Sequence, residues 1–426
     1  MKKLKKFLSK LGPGLITGAS DDDPSGIATY SIAGASFGYA LNWLTLFLYP
    51  LMTIVQEMCG RIGLVTGKGL AGVIKANYPK SFLYFVVFLL LIANTINIGA
   101  DIGAMAASAK MLIDVPFFAW AILFTVLILA LEILISYKAY AKFLKWLTVV
   151  LFAYVLTAFV VSVNWGEVFK DLIIPTLKLD DTYLAMMVAF LGTTISPYLF
   201  FWQTSEEVEE EVAEHKIVAF GKGRPRVTKG EIGEMRIDTA VGMFFSNTIT
   251  FFIIVTTAST LFAAGIRDIQ TAQDAAKAIE PLVANFPYAG TLAKLLFTTG
   301  LVGVGLLAVP VLAGSAAYAL SEAFGWREGL YLKFKRAHGF YGVIIFSTLI
   351  GLMMNFVGIN PIRALFYTAV INGIIAIPLL VIIILVSNNR NILGGRVNGV
   401  WSNALGWLTF FLMGAATVSM LVSWLL

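Results

Sequence analysis

Apolar runs of about 20 residues or more recur at about eleven places along this chain, with short charged loops between them. In lipid a segment of that length can satisfy its backbone polar groups only as a helix. The pattern therefore predicts an all-α integral membrane bundle of about 11 transmembrane helices. The runs fall near 12–40, 43–66, 81–112, 115–137, 143–164, 182–205, 236–265, 291–320, 339–358, 361–387 and 401–425. Composition agrees, with 58% of the 426 residues hydrophobic, 13% charged and a mean hydropathy of +0.84. Soluble domains are roughly half apolar and a quarter charged. One membrane domain spanning 1–426 is expected.

Charge placement orients the bundle. The net charge of +6 is not a nucleic-acid footprint, because Lys and Arg cluster in every second loop. With the N-terminus inside, 24 of the 31 Lys and Arg residues fall in inside loops, from Lys2, Lys3, Lys5, Lys6 and Lys10 to Arg390 and Arg396. Six fall outside: Lys170, Lys178, Arg267, Lys277, Lys294 and Arg363. An N-terminus in, a C-terminus out and an odd number of spans follow. The basic start MKKLKKFLSK is not read as a signal peptide, since Asp21, Asp22 and Asp23 interrupt the run behind it. Lone Cys59 excludes an intrachain disulfide, and both histidines, His215 and His338, fall in loops. Segment 206–235 opens on Glu206, Glu207, Glu209, Glu210 and Glu211 and closes on GKGRPRVTKG, which reads as a solvated inner connector with some helix. Segment 266–290 reads as a short surface helix over the outer mouth.

Charges within spans mark function by default. The first span reads GASDDDPSGIATYS, placing three carboxylates mid-span ahead of Pro24 and Gly26. Proline removes a donor and glycine tolerates an unwound backbone, so the helix is expected to break there. The first half would end on free carbonyls carrying partial negative charge beside the aspartates, a setting for a cation. The sixth span, AMMVAFLGTTISPYLFFWQTS, carries Ser196 and Pro197 mid-span. Interrupted helices five spans apart mark transporters built from inverted repeats. The repeats would cover about 12–164 and 182–387, with an extra helix at about 401–425. Other intramembrane polar residues are Gln56, Glu57, Asp101, Glu132, Thr368 and Asn372, the last two lying four apart on one helical face. Glu132 reads as a structural contact. Asp101, in the small-residue stretch NIGADIGAMAASA, is a candidate for the pathway.

Together GPGLITGAS, QEMCGRIGLVTGKGLA and GTTISPYLFFWQTS resemble the natural resistance-associated macrophage protein (NRAMP) family of divalent-metal transporters. The resemblance runs along nearly the whole chain and implies a LeuT-like fold of 5 + 5 inverted repeats, broken at helices 1 and 6. The family's Asp-Pro-Gly-Asn signature reads here as Asp23, Pro24, Ser25 and Gly26, keeping the metal-binding aspartate and losing the asparagine ligand. Its Met-Pro-His signature reads as Ser196, Pro197 and Tyr198, so thioether and histidine are both gone. A second family histidine falls on Gln203, the carbonyl ligand on Thr193, and the acidic pair of span 3 reduces to Asp101 with Ile98 at the other place. The resemblance thus implies a metal set of Asp23, Gly26, Thr193 and Ser196 with Asp22 nearby. Pro24, Pro197, Tyr198, Gln203, Asp101, Gln56, Thr368 and Asn372 would line or back the pathway.

A soft thioether favours Mn²⁺ and Fe²⁺ over Mg²⁺ and Ca²⁺. Its loss, with that of the asparagine, leaves oxygen ligands and more room, which suits a partly hydrated Mg²⁺. The chain therefore looks most like the bacterial NRAMP-related magnesium transporters. The expectation is a monomeric inner-membrane importer with weak or no proton coupling, no enzyme activity and no cofactor beyond the ion carried. The competing expectations are a proton-coupled Mn²⁺/Fe²⁺ importer, a cotransporter of organic solutes, a passive cation channel and an intramembrane aspartyl protease. The DDD break disfavours an anionic organic solute, and the protease lacks any recognisable context around Asp23 and Asp101.

Overall fold

The computed structural model describes residues 12–135 and 147–425. The basic cluster Lys2 to Lys10 and the first residues of the expected fifth span, 143–146, lie outside the described residues. Among the described residues every regular element is helical.

The first span is two helices, α1 (Pro13–Asp21) and α2 (Pro24–Phe37), with Pro24 in the first turn of the second. Proline is tolerated there because its missing N–H has no intrahelical partner in any case. After α3 (Trp43–Thr66) and the short α4 (Leu70–Asn77) come α5 (Lys80–Leu112) and α6 (Phe117–Leu134). Span 5 ends in α7 (Phe152–Val160) and turns by 118° into α8 (Trp165–Ile173). The sixth span again splits, into α9 (Asp181–Thr194) and α10 (Pro197–Ala213), with Pro197 opening the second half. The chain continues through α11 (Lys229–Thr257), α12 (Ala272–Ala276), α13 (Ala289–Phe324), α14 (His338–Met354), α15 (Pro361–Asn388), α16 (Arg390–Leu393) and α17 (Val400–Ser423).

Eight helices among the described residues are long and apolar enough to cross a membrane, nine with the bent α7 and α8 pair. The expected count of about eleven also needs the broken α1 and α2 pair and α3, which carries Gln56, Glu57 and Arg61. Segment 266–290 forms α12 and a 3₁₀ turn at Lys277–Val283 that bury Ala275, Ala276 and Ile279. Segment 206–235 departs from the solvated connector expected. Helix α10 runs on through the glutamates to Ala213, and Glu206, Glu207, Glu209 and Glu211 are buried. Their acidic run is helical and turned inward because α10 packs against α3 and α13 there.

Glycine permits the close contacts that hold the broken spans. Helix α1 lies on α11, and a Cβ at Gly18 would collide with the Gly242 backbone. Helix α9 lies on α15, where a Cβ at Gly192 would collide with Ala369 and Gly373. Such backbone approach is how membrane helices gain packing without a hydrophobic drive between them. Asp238 of α11 adds a strap, accepting from the N–H groups of Gly12 (3.0 Å), Gly14 (2.7 Å) and Leu15 (3.2 Å) at the start of α1. A buried pair, Arg61 to Glu57 (3.1 Å), with Arg236 donating to the same carboxylate (2.8 Å), ties α3 to α11.

Gly18→Leu is expected to lose the monodisperse peak in detergent gel filtration, whereas Gly233→Ala, which meets open space, keeps it. Asp238→Ala leaves three N–H groups without their acceptor, the buried one of Gly14 at about 1–3 kcal/mol and the part-buried ones of Gly12 and Leu15 at less. A lower Tm of the purified chain in a thermal-shift assay is the expected result.

Candidate functional site

Asp23 is the N-cap of α2, and the break is built around it. Its Oδ1 accepts from the Gly26 N–H (2.8 Å) and the Ser25 hydroxyl (2.6 Å). That is ordinary capping, which satisfies a donor the helix start would otherwise leave bare. Its Oδ2 faces the other way, toward α5 and α10, where Asn97 Nδ2 donates at 3.2 Å and the Tyr198 hydroxyl at 3.4 Å. Tyr198 donates more closely to Ser20 O (2.9 Å), a carbonyl in the last turn of α1. One carboxylate oxygen thus closes the helix, and the other is held only by long bonds.

Across the break, Ser196 donates to the carbonyls of Gly192 and Thr193, each at 2.8 Å, in the last turn of α9. The Thr193 carbonyl expected as a ligand is therefore engaged by Ser196. Its hydroxyl lies 3.3 Å from Ser25 Oγ and joins the two breaks. Gly26 contributes its N–H to Asp23. The room expected beside it is bounded by the Tyr30 ring, 3.3 Å from where a Cβ would sit, and by Asp21 O and Thr193 Oγ1 at 3.5 Å. Tyr30 is itself fixed through Thr194 (3.0 Å).

The three consecutive aspartates diverge. Asp21 and Asp22 turn to α11, where the single hydroxyl of Ser246 donates to both, at 2.6 and 3.1 Å. Each keeps one buried oxygen without a hydrogen-bond partner, and Asp101 keeps two. Among the described residues none of Asp21, Asp22, Asp23 and Asp101 has a Lys, Arg or His partner, and all four are at most 1% exposed. Isolated buried carboxylates cost several kcal/mol each in a low-dielectric interior unless compensated. The arrangement therefore attracts positive charge.

Other expected residues are spread more widely. Gln203 donates to Glu207 (2.8 Å) at the contact with α3, five positions beyond Tyr198 and away from the break. Gln56 is buried with an unpartnered Oε1, and Asn372 with an unpartnered Nδ2. The Thr368 hydroxyl is spent on Leu365 O (2.7 Å). Glu132 is buried on α6 with one oxygen unpartnered. Ile98 points at Gly351 of α14, and the residue of α5 that reaches Asp23 is Asn97. Sequence reasoning passed over Asn97, although it lies four residues before Asp101 and so on the same helical face. Ser246 carried no comparable signal, since only the fold brings it to Asp21. Met105 continues that face of α5 and lies against Gly305 of α13, as Pro24 also does. Among the described residues no three of His, Cys, Asp and Glu converge as a metal cluster. An ion at Asp23 would meet one carboxylate and neutral hydroxyl or amide oxygens.

The family model for natural resistance-associated macrophage protein-like proteins matches residues 14–423. The divalent metal cation transporter MntH of Klebsiella pneumoniae (strain 342) is 26% identical over 413 residues, 95% of this chain and 91% of its own length. That of Bacillus subtilis (strain 168) is 24% identical over 427 residues, 98% and 92% of the two lengths. Both relatives are transporters by description, not enzymes. Among solved structures, the manganese transporter of Eremococcus coleocola superposes with a TM-score of 0.77 at 16% identity, over 99% of this chain and 87% of that one. Mhp1, a nucleobase-cation-symport-1 family transporter, gives a TM-score of 0.62 at 13% identity, over 97% and 90%. The shared architecture is the LeuT-like transporter fold that the family resemblance implied. With its spans, its breaks and a match along nearly its whole length, this multi-pass membrane protein belongs to the natural resistance-associated macrophage protein-like family.

Proposed function

We propose that the chain is a monomeric importer of divalent metal cations in a bacterial inner membrane, working by alternating access, with Mg²⁺ as its principal ion. The observation that carries this reading is the set of four buried carboxylates without a cationic side-chain partner, one of them, Asp23, at the meeting of two helix breaks. The relatives' descriptions as divalent metal cation transporters support the ion class.

Mg²⁺ follows from the donors around Asp23. Ser25, Asn97, Thr193, Ser196 and Tyr198 bring hydroxyls and an amide, with no imidazole. Hard oxygen donors and a single carboxylate suit an ion that keeps several waters. Asp23 Oδ2 would take the ion, with the unpartnered Asn97 Oδ1 and the Tyr198 hydroxyl oxygen accepting hydrogens from its water shell. Pro24 and Pro197 keep the two breaks open, and Asp22 and Asp101 set the negative field. Gln56, Gln203, Thr368 and Asn372 belong to the walls of the path, and Gly26 shapes the site by lacking a side chain. The two repeats, about 12–164 and 182–387, would rock against each other around this point, with the N-terminus inside and the C-terminus out. With no histidine at either helix break, protons are not coupled, and the membrane potential drives uptake. It is worth about 4.6 kcal/mol per 100 mV for a doubly charged ion.

One observation favours a second reading. Met105 places a thioether one turn beyond Asp101, and soft sulfur favours Mn²⁺. Proton-coupled Mn²⁺ import is the outcome it would support.

The test is uptake into proteoliposomes, with Mg²⁺ or Mn²⁺ supplied and internal pH followed. Mg²⁺ entry without acidification is expected; Mn²⁺ entry with acidification and no Mg²⁺ flux would establish the second reading instead. Asp23→Ala should reduce uptake to that of empty vesicles, and normal uptake would remove Asp23 from the site. Asn97→Ala should raise the apparent KM about tenfold, the usual effect of losing a partner that orients a metal ligand. Ser196→Met with Gly26→Asn should raise Mn²⁺ flux relative to Mg²⁺, and an unchanged ratio would place selectivity elsewhere.

A further inference from the structure

Where α1 begins, a pocket of about 290 Å³ opens between α1, α3, α10 and α11. Among the described residues, seven of its twelve lining residues are acidic. The end of α10 and the residue after it supply Glu207, Glu210, Glu211 and Glu214, and α11 supplies three more carboxylates, among them Glu231 and Asp238. Among the described residues Lys216 is the one basic residue in the lining, and its ammonium is already shared between Glu214 (2.8 Å) and Glu231 (2.6 Å). Burial acts to lower the Lys216 pKa, but those two hydrogen bonds outweigh it and hold the group above its ordinary value, hence charged.

Glu211 sets this pocket apart from a merely acidic surface. Its residue is 1% exposed, it lines the pocket, and neither carboxylate oxygen has a hydrogen-bond partner. Glu207, beside it, receives one amide hydrogen from Gln203. Asp238 is spent on the start of α1. A buried carboxylate with both oxygens bare is costly unless a cation or ordered water meets it. A water takes about 30 Å³ of liquid volume, so the pocket has space for an ion with its inner water shell.

We propose that this pocket is a second divalent-cation site, in which Glu211, assisted by Glu207, holds a partly hydrated ion between α10 and α11. Along α10 it lies roughly 15 Å (Glu207) to 21 Å (Glu211) from the break at Pro197, by the 1.5 Å rise per residue. The ion class rests on the transport reading above, but the site's residues are separate from those around Asp23. Held there, the ion bridges the second half of one broken span to the helix that carries the first half of the other.

Mn²⁺ serves as the probe, counted by calorimetry and by electron paramagnetic resonance on the purified full chain in detergent. Two ions per wild-type chain are expected, one in Asp23→Ala, one in Glu211→Gln and two in Glu211→Asp. A Glu211→Gln chain that elutes as the wild type and still binds two ions overturns the proposal, as does an Asp23→Ala chain that binds none. If Glu211→Gln does not fold, the Asp23→Ala count alone decides. A single wild-type ion that survives Asp23→Ala and is lost in Glu211→Gln would overturn the central-site reading and leave the pocket standing.

Discussion

A helix that stops halfway through a membrane leaves N–H donors and carbonyls at both cut ends with no water to take them. Everything at the centre of this protein follows from how those ends are repaired. Asp23 caps the start of α2 with one oxygen, Tyr198 reaches across from α10 to Ser20 O, and Ser196 returns its hydroxyl to the last carbonyls of α9. Each repair brings an oxygen-bearing side chain to the same place. The proposed ion site is in this sense not added to the fold but made of the groups the breaks require. Asp23 has two oxygens, and capping uses only one of them.

Negative charge is the second consequence. Asp21 and Asp22 share one hydroxyl, and Asp101 has no hydrogen-bond partner at all. Such groups are stable in a bilayer only when positive charge, protons or water come to them. In the function proposed above that instability has a use: the protein is electrically incomplete at its centre, and the cargo would complete it. The acidic pocket at the start of α1 extends the same logic, with buried glutamates where the loop pattern promised solvated ones.

Most of the bundle was legible in the sequence because hydropathy has a long range along the chain. Helices α5, α6, α13, α14, α15 and α17 begin and end within a few residues of their apolar runs, whereas α10 overruns its run and α11 starts before its own, and Pro24 and Pro197 mark the breaks to the residue. The site was legible only in part. Asp23 stands out as a charge in an apolar run, but Asn97 is neutral, and its role shows only when α5 is wrapped into a helix and set beside the break. Ser246 lies more than 220 residues from the aspartates it serves, and no local pattern connects them. The run Glu206 to Glu211 misled because charge density usually marks solvent, whereas here α10 extends past the expected span and carries its glutamates inward with it.

The strap at the start of α1 bears on motion. Three N–H groups of α1 are tied to Asp238, and one turn further Gly18 is pressed against Gly242, so the half-helix is fastened to α11 at two heights. A thin gate, in which α1 alone peels away, would have to undo both fastenings in a medium that offers nothing in exchange. The pair α1 and α11 is instead a single lever, with the Asp21 and Asp22 carboxylates at its inner joint through Ser246. Whatever moves one end of that lever is felt at the break where Asp23 sits.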